Sequence, residues 1–213
     1  MTEGPLFSSP DAITVAFRAL HDDLLAEGGP RISTMRNHRF AIVPYAPSQE
    51  FALRQATMRL SLDLQHRGWR VRDLSLQRLV LERIAALPEE ERGAIIDRER
   101  RLHARDPARS LQHLKDRLVP KLEGTEGLAR GVAAEIDALV REHPDEQDRS
   151  VVFLSRAGAL YPFTRASALL KHLAGRTHHV SVVLLYPGER RDDGLSFLGE
   201  LQADRDYRPR IYP

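Results

Sequence analysis

The stretch best suited to chemistry is Phe153-Leu154-Ser155-Arg156-Ala157-Gly158-Ala159-Leu160-Tyr161-Pro162-Phe163-Thr164-Arg165. An apolar run feeds a turn of small residues and then a helix entry. In a parallel sheet such a turn lies at the carboxyl edge, where α/β proteins place ligands. Free N–H groups at the helix start suit an anion, and Arg156 and Arg165 add positive charge. A purely structural role competes evenly: Tyr161 and Phe163 would pack the helix onto the sheet, while Ala157 and Gly158 would permit the turn. Tyr186-Pro187-Gly188-Glu189 ends the next apolar run at the same edge, so the two loops are neighbours if their strands pair.

Signatures of established catalysis are missing. The loop after the first apolar run, Pro44-Tyr45-Ala46-Pro47-Ser48, has neither the glycines nor the lysine with which a Walker A loop wraps phosphates. There is no G-x-G-x-x-G turn and no G-x-S-x-G elbow. None of the nine histidines has metal-ligand spacing, and His178-His179, adjacent at a strand entry, should point to opposite faces. The acidic clusters Glu89-Glu90-Glu91, Asp145-Glu146 and Asp192-Asp193 fall at helix starts or in turns, where dipole and turn chemistry explain them. Cysteine is absent, which excludes disulfides, Cys-ligated zinc, iron–sulfur clusters and a thiol nucleophile.

The elements that must position these residues follow from apolar patterning. Phe40-Ala41-Ile42-Val43, Val151-Val152-Phe153-Leu154 and Val180 to Leu185 read as strands buried on both faces. A strand near Trp69 to Leu74 and another near Tyr207 to Tyr212 bring the sheet to about five. A helix starts at Ser9-Pro10-Asp11 and stops at Gly28-Gly29-Pro30. Ser48 should cap a helix bearing Leu53, Ala56, Leu60 and Leu64; further helices are expected over Phe163 to Leu173 and Gly194 to Ala203. Alternating strands and helices favour parallel pairing. Residues 75–143 hold no strand signal. Four helices are expected there: one through Leu76 to Leu87, one opened by Pro88, one over Ser110 to Val119 broken by Pro120, and one capped by Thr125. The expectation is one α/β domain over 1–213, with a Rossmann-like or P-loop-like, mostly parallel sheet, no Walker A loop, and an all-helical insertion over 75–145.

Composition agrees with a globular chain. The 213 residues are 42% hydrophobic and 29% charged. No apolar run approaches the roughly 18 residues of a membrane span, and the N-terminus lacks a secretory pattern, so a cytoplasmic protein is expected. Net charge is 32 − 30 = +2. Eight arginines fall in residues 31–72 against Glu50 and Asp63. That stretch could meet nucleic acid; arginines dispersed over several faces are the plainer reading.

The segments FLSRAGALYPFTRASALL at 153–170 and VVLLYPGE at 182–189 resemble the BrxB family of bacteriophage exclusion (BREX) defence systems. The likeness is carried by Gly158-Ala159-Leu160-Tyr161-Pro162-Phe163-Thr164-Arg165, Tyr186-Pro187-Gly188, Gly194 to Gly199 and Tyr207-Arg208, and extends to FAIVPYAPSQEFAL at 40–53. Arg156-Ala157 stands where the family usually has a smaller, glycine-containing pair. The resemblance implies a role in restricting phage beside a methyltransferase, a large ATPase and PglZ, a protein with an alkaline-phosphatase-like domain. It implies no established catalytic activity, and it makes PglZ the first partner; from the missing motifs and ligand spacings, no cofactor and no metal is expected. The charged helical region and the polar loops after the third and fourth strands are candidate docking surfaces. Arg156, Gly158, Tyr161, Arg165, Tyr186, Gly188 and Arg208 are the candidate binding residues. A nucleotide- or phosphate-binding domain using Arg156, Gly158 and Arg165, or a nucleic-acid-binding accessory protein, is the alternative.

Overall fold

The computed structural model describes residues 10–32, 39–191, 194–197 and 209–212. The chain order is α1 (Pro10–Leu24), β1 (Phe40–Tyr45), α2 (Glu50–His66), β2 (Arg70–Ser75) and α3 (Leu76–Ala85). Then come α4 (Glu89–His103), α5 (Pro107–Leu122), α6 (Leu128–Glu142), β3 (Ser150–Ser155) and α7 (Ala166–Leu173). The chain closes with β4 (Ser181–Arg191), β5 (Gly194–Phe197) and β6 (Arg210–Ile211).

The fold is α/β. Five strands lie in the order β2-β3-β4-β1-β6, every neighbouring pair parallel, and β5 pairs antiparallel with β4. The register sets Tyr45 opposite Pro187 and Ser75 opposite Ser155, so these strands end at one edge.

Alternation along the strands divides the core in two. Ala41, Val43, Val151, Phe153, Val183 and Leu185 face α1 and α2, joining Phe17, Leu20, Leu53, Leu60 and Leu64. Phe40, Ile42, Val152, Leu154, Val182 and Leu184 face the other way, onto α3, α5, α6 and α7. Helices on both faces explain why the strands are continuously apolar and not alternating. The four helices α3 to α6 all fall between β2 and β3. Among them α6 is the most deeply buried, through Val132, Ala133 and Ile136, whereas α4 buries no residue fully and packs on α5. No helix among the described residues is long and apolar enough to cross a membrane.

Several local expectations are corrected. Gly194–Phe197 is a strand, not the start of a helix: β4 runs on past Pro187 to Arg191 and turns back, and Leu195 and Phe197 enter the core. Residues 198–203, in the same expected helix, lie outside the described residues, as do Ser9 and Tyr207. Pro120 does not break α5, which continues to Leu122. Leu118 and Leu122 flank the proline one turn apart, and their burial outweighs the lost hydrogen bond. The cap of α6 is Gly127, not Thr125; a Cβ there would lie 2.2 Å from the Leu122 carbonyl oxygen. Ser48 falls inside a 3-10 turn, and α2 begins at Glu50. The helix after β3 starts at Ala166, because a 3-10 turn at Ala157–Leu160 comes first.

The short β6 is held through its flank. The Tyr212 N–H donates to the Ile42 carbonyl, its hydroxyl donates to Asp23 of α1 at 2.8 Å, and Arg210 pairs with the same carboxylate at 2.7 Å. Burial raises the Tyr212 hydroxyl far above its ordinary value, and the bond to Asp23 adds to this. A raised tyrosine favours the native state fully below the unfolded value and loses that advantage as pH rises above about 10. Tyr212→Phe should therefore cost about 1.5 kcal/mol at neutral pH and flatten the alkaline loss of stability. Thermal melts across pH check this; an unchanged alkaline slope would contradict it.

Candidate functional site

The carboxyl edge of the sheet opens into a groove of about 590 Å³ between α2 and the ends of β2 and β3. One wall is α2, with Glu50, Arg54, Thr57, Met58 and Ser61; the other carries Asp73, Ser75, Ser155 and Arg156, with Gln77 and Arg78 from the first turn of α3. Parallel pairing makes this cluster. Asp73 and Ser75 end β2, Ser155 ends β3, and their register lays them side by side.

Two polar centres organise the groove. Glu50 accepts from the Tyr45 hydroxyl and from Arg54 Nε at 3.0 Å, with Arg156 Nε at 3.6 Å. Burial, with the bond to Glu50 added, holds the Tyr45 hydroxyl well above its ordinary range, so it stays a donor. Asp73 accepts from the Ser155 hydroxyl at 2.5 Å. The Ser75 hydroxyl caps α3 by accepting from the Arg78 N–H at 3.3 Å. Arg156 has φ 58° and ψ 36°, the left-handed region that a side chain enters at a cost of roughly 1–2 kcal/mol. That conformation explains why a glycine-containing pair suits this position.

The sequence-derived residues do not form one cluster. Arg156 lines the groove on the α2 side of the sheet. Tyr186, 1% exposed, lies on the opposite side with its ring edge against Phe197, 5.2 Å between centroids, and its hydroxyl donates to the Leu195 carbonyl. Tyr161 is half-exposed with its ring 6.3 Å from that of Phe197. Tyr186-Pro187-Gly188-Glu189 is not a loop, because β4 runs through it to Arg191; the turn after β3 meets that strand, and a Cβ built on Gly158 would lie 3.9 Å from Pro187 Cγ. Gly188 pairs with Phe197 in the hairpin. Arg165 is the backbone cap of α7 and is not in the groove wall. Arg208 lies outside the described residues. Glu50 and Arg54 of α2, Asp73 of β2 and Arg78 of α3 carry no signal in the sequence, since polar residues on three separate segments meet only in the fold.

The basic stretch is dispersed by ion pairing. Arg39 pairs with Asp148, Arg54 with Glu50, Arg67 with Asp63, Arg70 with Glu146, and Arg72 with Glu135 and Glu142. Hydrogen bonds from Arg67 and then His21 lower Asp63, and one from Arg70 lowers Glu146. On the edge strand β2, Arg70 and Arg72 also supply the charge that discourages pairing with another sheet. His178, at φ 50°, lies 2.8 Å from Asp137, and His179 lies 3.9 Å from Asp148, so each faces a different acid. Among the described residues no three acidic or histidine side chains converge as a metal site.

Comparison with known families decides the assignment. The family described as BREX protein BrxB matches residues 72–211, more than half of the chain. The chain belongs to the BrxB family. BrxB is an accessory component of BREX, not a known enzyme family, and this places the chain in antiviral defence and phage resistance among other BREX proteins. The BrxB match begins at Arg72, so the likeness of residues 40–53 lies outside it. No curated protein and no solved structure matches the chain.

Proposed function

We propose that this BrxB protein is a non-catalytic adaptor that binds PglZ, the BREX member with an alkaline-phosphatase-like domain. The observation that carries the reading is the outer face of α2. Leu53, Leu60 and Leu64 bury the inner face. On the outer face Phe51 is 72% exposed, and Met58 and Leu62 are more than half and half exposed. Spacings of seven and four residues put these three on one stripe. A helix apolar on both faces is normally covered, and aromatic and methionine side chains are enriched at interface centres. Val15 of α1, the helix packed beside α2, is also exposed, and Arg59 stands exposed on α2 itself.

Co-expression with the cognate PglZ should yield one complex that survives gel filtration at micromolar concentration. Two separate peaks would contradict the adaptor reading.

A further inference from the structure

We propose that the groove between α2 and the carboxyl ends of β2 and β3 is a binding site for a phosphorylated ribose, as in a sugar phosphate or a nucleotide. This goes beyond the adaptor reading and does not depend on it.

Volume and place come first. About 590 Å³ falls within the roughly 300–1,000 Å³ of small-molecule sites. Ligands of parallel α/β sheets bind outside the carboxyl ends of the strands, and this groove opens there.

Charge gives the ligand class. Arg54, Arg78 and Arg156 reach the groove from three different elements, and the carboxylates facing them are Glu50 and Asp73, so the lining carries 3 − 2 = +1. Arg54 and Arg156 share Glu50, which leaves donors on both guanidiniums for a second anion. Arg78 lies 3.4 Å from Glu82 in a pair exposed on both sides, which a phosphate can displace. Arg156 holds its place in a left-handed conformation, a feature that concentrates at functional sites.

The acidic side chain of the β2 wall gives the sugar. Asp73 Oδ1 accepts from Ser155, and Oδ2 remains for a ligand hydroxyl. A carboxylate beside a phosphate site is suited to ribose hydroxyls, and it disfavours a ligand that is phosphate alone. The sequence had placed an anion at the start of α7; the backbone turn at Arg156 directs that guanidinium to the opposite side of the sheet.

Isothermal titration of the full chain with AMP, ribose 5-phosphate and inorganic phosphate tests this. AMP and ribose 5-phosphate should bind at least tenfold tighter than inorganic phosphate. Arg156→Gly, which keeps the backbone conformation, and Arg54→Ala should each weaken AMP at least tenfold. If either variant melts early, the other carries the test. Asp73→Asn should weaken AMP and ribose 5-phosphate while leaving inorganic phosphate unchanged, and Arg101→Ala on α4 should change nothing. No heat from AMP at millimolar concentration would overturn the site. Equal affinity for all three anions, with Asp73→Asn indifferent, would reduce it to a general anion patch and overturn the ribose. Because PglZ is absent from the titration, failure of the adaptor reading leaves this result standing.

Discussion

Gly188→Ala should strip β5 from the sheet. Gly188 lies opposite Phe197 in the β4–β5 hairpin, and an added Cβ would fall 2.1 Å from the Ser196 carbonyl oxygen and 2.7 Å from Tyr186 Cε1. Backbone cannot yield there without parting the two strands. Parting them exposes Leu195 and Phe197, both buried against the α3–α7 side of the sheet. At roughly 1.5–3 kcal/mol per buried side chain, the loss is about 4 kcal/mol. Chemical denaturation with limited proteolysis of the C-terminal segment checks it; an unshifted midpoint would contradict the tight hairpin. Gly158→Ala is the contrasting case. Gly158 is not among the positive-φ residues, and its Cβ would meet only Pro187 Cγ at 3.9 Å. That change should alter stability by less than about 0.5 kcal/mol, so strain from a branched residue at Gly158 is not expected from backbone conformation. The left-handed residue of this turn is Arg156.

Phe153→Ala should cost about 4 kcal/mol, within the range of phenylalanine truncations in closed cores. Phe153 lies in the middle of β3, fully buried, between Asp73 of β2 and Val183 of β4 in register. Its side chain faces the α1–α2 layer with Leu53, Leu60 and Leu64. Both neighbouring strands are hydrogen-bonded to β3, so the sheet has little freedom to collapse into the space. Urea denaturation should show the loss with an unchanged slope. A loss under about 1 kcal/mol would mean that this layer is not the packed core described.

The sheet was legible because its central strands lie between two layers of helices. That burial forces apolar runs, and FAIV, VVFL and VSVVLL, the last interrupted only by Ser181, are such runs. Helix ends were less legible, because tertiary packing decides them. Pro120 is tolerated through the burial of Leu118 and Leu122, and Gly127 displaces Thr125 as a cap because the chain passes too close for a side chain. The strand at Gly194–Phe197 carries only two buried apolar side chains, and four residues contain too little periodicity to separate strand from helix. The groove was half legible. Ser155 and Arg156 stood out in one distinctive stretch, but Asp73 joins them only through strand register, and Glu50 and Arg78 only through the placement of α2 and α3. A usable signal existed: once Leu74 and Leu154 are taken as paired strand ends, Asp73, Ser75, Ser155 and Arg156 must share an edge. The stripe on α2 was hidden for another reason. Phe51, Met58 and Leu62 look like core residues until Leu53, Leu60 and Leu64 are seen to occupy the inward face.

The adaptor claim is tested most directly by measuring the affinity of the cognate PglZ for the wild-type chain and for the Phe51→Glu, Leu62→Glu double variant. Both positions are solvent-facing, so the variant should melt at the wild-type temperature. Interface anchors of this kind are worth at least about 2 kcal/mol, so the variant should bind at least roughly 30-fold more weakly. A variant that binds PglZ as tightly as the wild type would show that α2 does not hold the partner, and a wild-type chain that does not bind PglZ would contradict the adaptor claim itself.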